Sequence, residues 1–446
     1  MLKNENFRLV LISLIFSASV LVILPRIEIY VSNKLLKVDS YVGGYSPKIF
    51  GKVIDLSDFK KGMDVGGMER VVFTIGDAGT ENVETNSQLV KEITEKRMKS
   101  GGYKEYQVYI SKTDGKYQLV VEVPKYVDIN YLAVLLNGTG NLTFKTLKNP
   151  AEWGPEEAAR LVASPDSWLP TDISRSDVSD LAISKGSTGQ DQLQIIFKPE
   201  GKAKFNKVAK ENVNKPVAFF INDQDFPVLI PVIDESLAAD ALVDPTLTGY
   251  FPQGFLQSFL IQYKNGPLPV KLFSPEAFDV APKFGSNFIE KFGLALLVGF
   301  SATLILSLIR FKKEGILLSM SVFLSICLFL ALVKVFSVSV NFALVAGTLT
   351  ALLLFVEKGY EILYKIKLEE SKDKPFGYVI EKVFGEQGDI FKYVIILLFF
   401  TMLLVLRSAK GELVSFIYSI VIGCLCLPYL YFVFKTLLET SGGKKK

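Results

Sequence analysis

The sequence predicts a membrane α-helical bundle of six transmembrane helices with an α+β domain inserted between helices 1 and 2. Three observations predict it: long uncharged apolar runs towards both ends of the 446-residue chain, a polar middle with short segments of period-two alternation, and basic residues gathered on one side of the runs. Hydrophobic residues make up 49% and charged residues 22%, and the mean hydropathy is +0.32, which is too apolar for an ordinary soluble chain. The net charge of +4, from 50 basic and 46 acidic side chains, is too small and too dispersed for a nucleic-acid partner. No histidine is present, which excludes a Ser-His-Asp triad, a Cys-His dyad and a histidine-ligated metal. Proton handling near neutral pH falls to carboxylates, lysines or tyrosines. Cys327, Cys424 and Cys426 lie inside apolar runs and read as small hydrophobes. Neither a metal site nor a cofactor is expected.

Leu9 to Pro25 carries no charge, follows Lys3 and Arg8, and runs past Ser17-Ala18-Ser19 without a cleavage pattern. Residues 1–25 therefore read as a retained membrane anchor. From about Arg26 to Asn287 the chain is polar and rich in Gly and Pro. A helix over Leu89–Lys99, with Leu89, Ile93 and Arg97 on one face, is followed by a strand over Tyr106–Ser111, a Thr113-Asp114-Gly115 turn and a strand over Gln118–Val123. A second unit of this kind starts near Asp172: strand Leu193–Phe197, helix Gly201–Asn212, then strands Val217–Ile221 and Val228–Ile233. Two α+β lobes follow, a base lobe over 26–165 and 251–287 and a head lobe over 166–250.

Five further spans are expected near Phe292–Ile309, Gly315–Leu332, Val340–Val356, Tyr393–Leu406 and Leu413–Phe434, within a five-helix domain over 288–436 that ends in a basic tail over 437–446. With the N-terminus inside, Arg310, Lys312, Lys313, the segment Lys358–Lys382, Lys435 and Lys444–Lys446 all fall inside. The outer connections hold only Lys334, Arg407 and Lys410. This bias places the α+β domain outside the cytoplasm. Lys334 reads as a snorkelling side chain, and the segment Lys358–Asp389 as an amphipathic helix followed by a loop on the membrane face.

Several ordered patches carry a family likeness. Lys60-Lys61-Gly62-Met63-Asp64-Val65-Gly66-Gly67 is similar to a G-L-D-L-x-G-G signature with one residue fewer between Val65 and Gly66. Arg97 with Gly101-Gly102, Val121-Glu122-Val123-Pro124, Leu142-Thr143-Phe144, Asn212 to Ala218, Leu247-Thr248-Gly249, Asn265 to Val270 and Val280 to Gly285 follow in order. On these patches, and on their placement relative to six spans, the chain resembles the SecD family of protein-export membrane proteins, within the wider RND-type superfamily.

The resemblance implies a ferredoxin-like extracytoplasmic domain and a place in the bacterial cytoplasmic membrane. It implies a non-enzymatic role in which the proton gradient promotes late steps of polypeptide export. The implied partners are a SecF-type six-helix protein that completes the bundle, the SecYEG translocon, unfolded exported polypeptide and the lipid bilayer. It also implies a coupling acid in the fourth span, where the family has A-V-D-A-N. Aligned without gaps, Phe355-Val356-Glu357-Lys358-Gly359 stands there, so Glu357 takes the aspartate's place and Gly359 that of the asparagine. A carboxylate in a low-dielectric bundle resists ionisation and can load and release a proton. Read by itself, Glu357 ends an apolar run and is followed by Lys358, Glu361 and Lys365, which is equally the pattern of an acid at the cytoplasmic interface. Gly62, Asp64, Gly66 and Gly67 read as a tight turn or a close backbone approach. No G-x-x-x-x-G-K-[ST] loop occurs, so ATP is not the direct energy source. Sodium in place of protons, a proton-uncoupled scaffold or holdase, and an RND-type transporter of small molecules or lipids stay open.

Overall fold

The structure is a computed structural model and describes residues 4–32, 37–49, 52–76, 82–149, 154, 160–161, 164–186, 189–235, 244–249, 251–252, 254–370, 374–386, 396, 400 and 412–442. It divides into two compact units. One comprises Met1–Met68, Val123–Tyr126 and Asp279–Lys446, and the other Glu69–Glu122 and Val127–Phe278.

The first unit begins with the helix Glu5–Ile23, whose N-cap Asn4 accepts a hydrogen bond from the Asn6 N–H at 3.0 Å. The helix is apolar nearly all round and buries only Ile12 and Ser19 within the chain, as expected of a lipid-facing span. An antiparallel hairpin follows, β1 (Ile27–Ser32) against β2 (Lys37–Val42), with Ile27 opposite Val42, and then the short antiparallel pair β3 (Lys48–Ile49) and β4 (Lys52–Val53).

The expected spans Phe292–Ile309 and Gly315–Leu332 both lie in the helical stretch Phe288–Val335, which is not one rod. Lys312 has φ 49° and ψ −121°, and a Cβ on Gly315 would collide with the carbonyl of Ser307. In a continuous helix these two residues would stand about 12 Å apart along the axis. The chain therefore doubles back at Lys312, and Gly315 is small because the Ser307 carbonyl occupies its Cβ position. The helices Phe342–Glu370 and Glu412–Gly442 follow.

Among the described residues, four helices are long and apolar enough to cross a membrane. The expected span Tyr393–Leu406 falls almost wholly outside the described residues, as do Arg407, Lys410 and Lys444–Lys446.

A shared core holds Val322, Phe329, Phe355, Ile362, Cys426 and Phe434. The expected amphipathic segment after Lys358 is built differently. The long helix continues to Glu370, and residues 376–386 form another helical stretch whose Val379, Ile380, Val383 and Phe384 are buried in the same core. Glu369 binds Lys374 and Lys382 at 3.1 Å each and so ties the two stretches together. All three cysteines are buried and free.

In the second unit, β6 (Gln107–Thr113) and β7 (Lys116–Pro124) form an antiparallel hairpin. Asp114 (φ 52°) and Gly115 (φ 79°) supply the two left-handed residues of its two-residue turn, at the expected place. These strands complete the sheet order β14-β5-β7-β6, with β5 spanning Met68–Ile75 and β14 spanning Leu272–Val280.

The helix Val83–Ser100 starts six residues before the expected one, and its buried face is Ser87, Val90, Ile93, Thr94, Arg97 and Met98. Leu89, expected on that face, is 43% exposed. Residues spaced by four drift about 40° per step, so Leu89, Ile93 and Arg97 cannot all sit at the centre of one stripe.

The second expected unit appears as β11 (Asp191–Phe197), the helix Pro199–Glu211 and β12 (Val217–Ile221). Residues 228–233 are paired to β12 through Val228 N–H to Phe219 O (2.8 Å) and Phe219 N–H to Leu229 O (2.9 Å), as bridges and not a continuous strand. β8 (Leu142–Leu147) lies between β12 and β9 (Trp168–Pro170), and β11 between β10 (Val178–Lys185) and β13 (Thr246–Leu247). Phe144, Phe197, Phe205 and Phe219 fill the core, with the Phe144 and Phe219 ring centroids 4.9 Å apart.

Candidate functional site

The glycine-rich signature forms one helical turn, Met63–Gly66, held by backbone exchange with a distant segment. Gly62 N–H donates to Val340 O at 2.9 Å, and Val340 N–H donates to Lys60 O at 2.6 Å. Asp64 is 5% exposed. Its Oδ2 accepts from the Phe342 N–H at 2.7 Å, and its carbonyl accepts from the Phe284 N–H at 3.1 Å.

Phe342 is the first residue of the helix Phe342–Glu370, so Asp64 caps that helix from across the chain and places a negative charge at its positive end. Asn341 supplies the local cap, accepting from the Leu344 N–H at 2.8 Å and donating to Ser415 Oγ at 3.0 Å. The Phe284 ring stacks on Phe342 with centroids 5.1 Å apart. Tyr126 Oη and Ser339 Oγ share a hydrogen bond of 2.9 Å beside them. The signature is a clip that joins residues 60–67, 282–288 and 339–344.

Two features of the clip follow from its tightness. Gly67 has φ 83° and ψ 175°, a region essentially reserved for glycine, and a Cβ there would stand 2.8 Å from the Val280 carbonyl. Asp64 Oδ1 is buried without a hydrogen-bond partner among the described residues. Burial pushes the Asp64 carboxyl above the usual carboxylate range, against the opposing pull of the Phe342 N–H, its own and the Val65 backbone amides, and the charge of Lys283.

The structure brings Gly62, Asp64, Gly66 and Gly67 together and leaves Glu357 elsewhere. Glu357 lies fifteen residues beyond Phe342 on the same helix, roughly 22 Å along its axis. Its side chain is 64% exposed in the single chain, with Lys358 Nζ 3.7 Å away. Lys358 binds Glu361 more closely, at 2.8 Å, and Glu361 also meets Lys365 at 3.1 Å. Glu357 shares its face with exposed Leu349, Leu353, Tyr364 and Leu368. The opposite side is packed, with Phe355 fully buried and Gly359 against Leu318. Further along, near the end of this helix, Lys367 donates to Arg310 O at 2.8 Å, and elsewhere in the bundle Arg8 binds Glu439 at 2.5 Å.

Other charged residues have roles that the sequence did not disclose. Lys334 does not snorkel. It is 3% exposed, and its Nζ donates to Ile23 O (3.3 Å) and Leu24 O (3.2 Å). The partial negative charge at the end of the helix Glu5–Ile23 satisfies the ammonium there.

In the second unit, Arg97 is fully buried and donates to Leu136 O (3.1 Å), Gly138 O (2.5 Å) and Gly266 O (3.2 Å). Burial, and then the charge of Arg175, push its guanidinium down to about 9. Arg175 donates to Gly140 O and Tyr263 O, so two arginines hold the backbone around 138–140 and the end of the helix Phe255–Lys264. Among the described residues, no group of three potential ligands could hold a metal ion.

No family model matches the chain. The protein translocase subunit SecD of Dictyoglomus turgidum is 23% identical over 319 residues, covering 71% of this chain and 72% of that protein. SecD of Acidaminococcus fermentans is 20% identical over 331 residues, covering 74% and 73%. The subunit SecDF of Brucella abortus is 21% identical over 358 residues, 75% of this chain but 45% of that protein. Among solved structures, SecDF in its super-membrane-facing form matches 99% of this chain with a TM-score of 0.70 at 18% identity. The translocon-associated SecDF of Thermus thermophilus matches 99% with a TM-score of 0.51. The chain spans 58% and 59% of those two structures. Relatives matched over 72% and 73% of their length and the fold shared with SecDF support this chain as a member of the SecD family of protein-export membrane proteins.

Proposed function

We propose that the chain is a SecD-like subunit of the Sec translocase, which uses the proton gradient across the bacterial cytoplasmic membrane to promote late steps of polypeptide export. The observation that carries this reading is the face of the helix Phe342–Glu370 on which Glu357 stands among Leu349, Leu353, Tyr364 and Leu368. A carboxylate on an apolar membrane face is costly against lipid, and a second six-helix chain of SecF type would cover it. Proton loading at Glu357 removes a charge and so favours a different packing of that face.

One proton crossing 100 mV supplies about 2.3 kcal/mol, enough to bias such a switch but too little to unfold a domain. Arg310 and Lys367 meet at one end of the bundle. By the positive-inside bias that end is cytoplasmic, so the clip and the sheet-rich lobes are extracytoplasmic. On this reading the SecYEG channel and emerging unfolded polypeptide are its partners. The base and head lobes over 26–165 with 251–287 and over 166–250 are the parts that grip the polypeptide.

A second reading, a proton-uncoupled scaffold or holdase, is favoured by the exposure of Glu357 and by the nearness of Lys358. Membrane vesicles holding the chain, its partner and the channel separate the two. A trapped export intermediate is followed with and without a protonophore, for wild type and Glu357→Gln. Coupling requires that wild-type completion depends on the gradient and that Glu357→Gln abolishes the dependence. Equal completion by Glu357→Gln leaves the scaffold.

A further inference from the structure

We propose that a pocket beside the clip binds the headgroup of a phospholipid that carries both a phosphodiester and an ammonium, of the phosphatidylethanolamine type. The inference rests on the apolar helices lying in a membrane and is independent of export and of coupling at Glu357. The pocket is a cavity of about 540 Å³ in the first unit, with Lys60, Lys61, Lys125, Asp55, Asp58 and Tyr126 in its wall.

Its place is fixed by the helix ends. Lys60 O accepts from the Val340 N–H, Tyr126 Oη bonds to Ser339 Oγ, and Lys334 lies over the ring of neighbouring Phe59 at 5.3 Å. The chain enters or leaves apolar helix at Leu24, Val335 and Phe342, so the cavity opens at the depth where lipid headgroups begin.

The wall carries both signs of charge. Lys60 and Lys61 form no ion pair among the described residues. Lys60 Nζ stands 5.6 Å from the centroid of the Tyr126 ring, over its face, and Lys125 is held by Asp279 at 2.5 Å. On the acidic side, Asp55 accepts from the Ser57 N–H at 3.0 Å. That bond, with the Lys60 charge in support, holds its carboxyl below the usual range and keeps it ionised.

Lysines act as mobile point charges well suited to phosphate, and the two aspartates offer the complementary site for an ammonium. A free inorganic anion would use the lysines alone and gain nothing from Asp55 and Asp58. A zwitterionic headgroup uses both and, at this depth, arrives already concentrated in the bilayer.

The test uses the full chain purified in detergent and stripped of lipid. Native mass spectrometry follows its titration with phosphatidylethanolamine, phosphatidylglycerol and inorganic phosphate. Phosphatidylethanolamine is expected to be retained several-fold more tightly than phosphatidylglycerol. The Lys60→Gln, Lys61→Gln double variant should lose at least tenfold in that affinity, and the Lys60→Arg, Lys61→Arg pair should keep it, which separates lost charge from a disturbed clip. Three results overturn the proposal: unchanged retention in the glutamine pair, retention of phosphatidylglycerol as tight as that of phosphatidylethanolamine, or displacement of the lipid by an equal concentration of inorganic phosphate.

Discussion

Two carboxylates serve the same helix, Phe342–Glu370, and they are opposites. Asp64 comes from 278 positions away in the chain, is buried, and holds the first backbone N–H of the helix at 2.7 Å. Glu357 belongs to the helix itself, stands 64% exposed and has only a neighbouring lysine at 3.7 Å. The first acid is consumed by the fold: its oxygen takes the first backbone N–H of the helix, which has no partner within the helix itself. The second has no such duty within the chain, so its chemistry is available to whatever covers its face. A buried acid in a signature motif can thus be architectural, while an exposed one in a membrane helix carries the functional proposal.

That contrast can be broken by substitution, and the largest effect is expected at the clip. Gly67→Val forces a branched side chain into a backbone region reserved for glycine and against the Val280 carbonyl. A loss on the order of 2–3 kcal/mol is expected, read as a lowered unfolding midpoint in detergent. Wild-type stability would show that residues 60–67 do not hold the helix end.

Asp64→Ala removes the acceptor that caps the Phe342 N–H and should cost about 0.5–2 kcal/mol. Hydrogen exchange should rise first at the amides of the first turn of the helix Phe342–Glu370. Uniform exchange along that helix would count against a capping role.

The pH dependence sharpens the same point. Asp64 holds its proton to higher pH in the folded chain than in the unfolded one. Its contribution is therefore fully present below the ordinary carboxylate value of about 3.9 and is lost as pH rises through the raised folded value. Unfolding midpoints measured between pH 4 and 7 should fall more steeply for wild type than for Asp64→Asn. Parallel slopes would remove Asp64 from the account.

The smallest effect on stability is expected at Glu357. Glu357→Gln changes no buried contact and should stay within about 0.5 kcal/mol of wild type, whatever it does to export. A large destabilisation would mean that the acid is architectural after all.

Much of the fold was legible because it depends on local periodicity. The Asp114-Gly115 hairpin, β12 and the apolar spans around 9–25, 292–309, 315–332 and 413–434 fall where alternation, turn residues and uncharged length place them. The misread positions have a common cause. Spacing alone puts Leu89 on the buried face, and Lys334 reads as snorkelling in the sequence because the carbonyls of Ile23 and Leu24 that bind it are more than 300 residues away. Arg97 carried a weaker signal, a basic residue on an otherwise apolar stripe, but the carbonyls it holds come from residues 135–139 and 266.

The membrane class, the α+β character of the middle and the residue types that could carry a proton follow from composition and from the helix and strand periods alone. The folded chain adds that Asp64 is a cap, that Gly67 stands where no side chain fits, that the chain doubles back at Lys312, and that Glu357 faces outward. Each of these depends on which distant backbone group arrives beside a side chain, and that is set by packing of the whole unit.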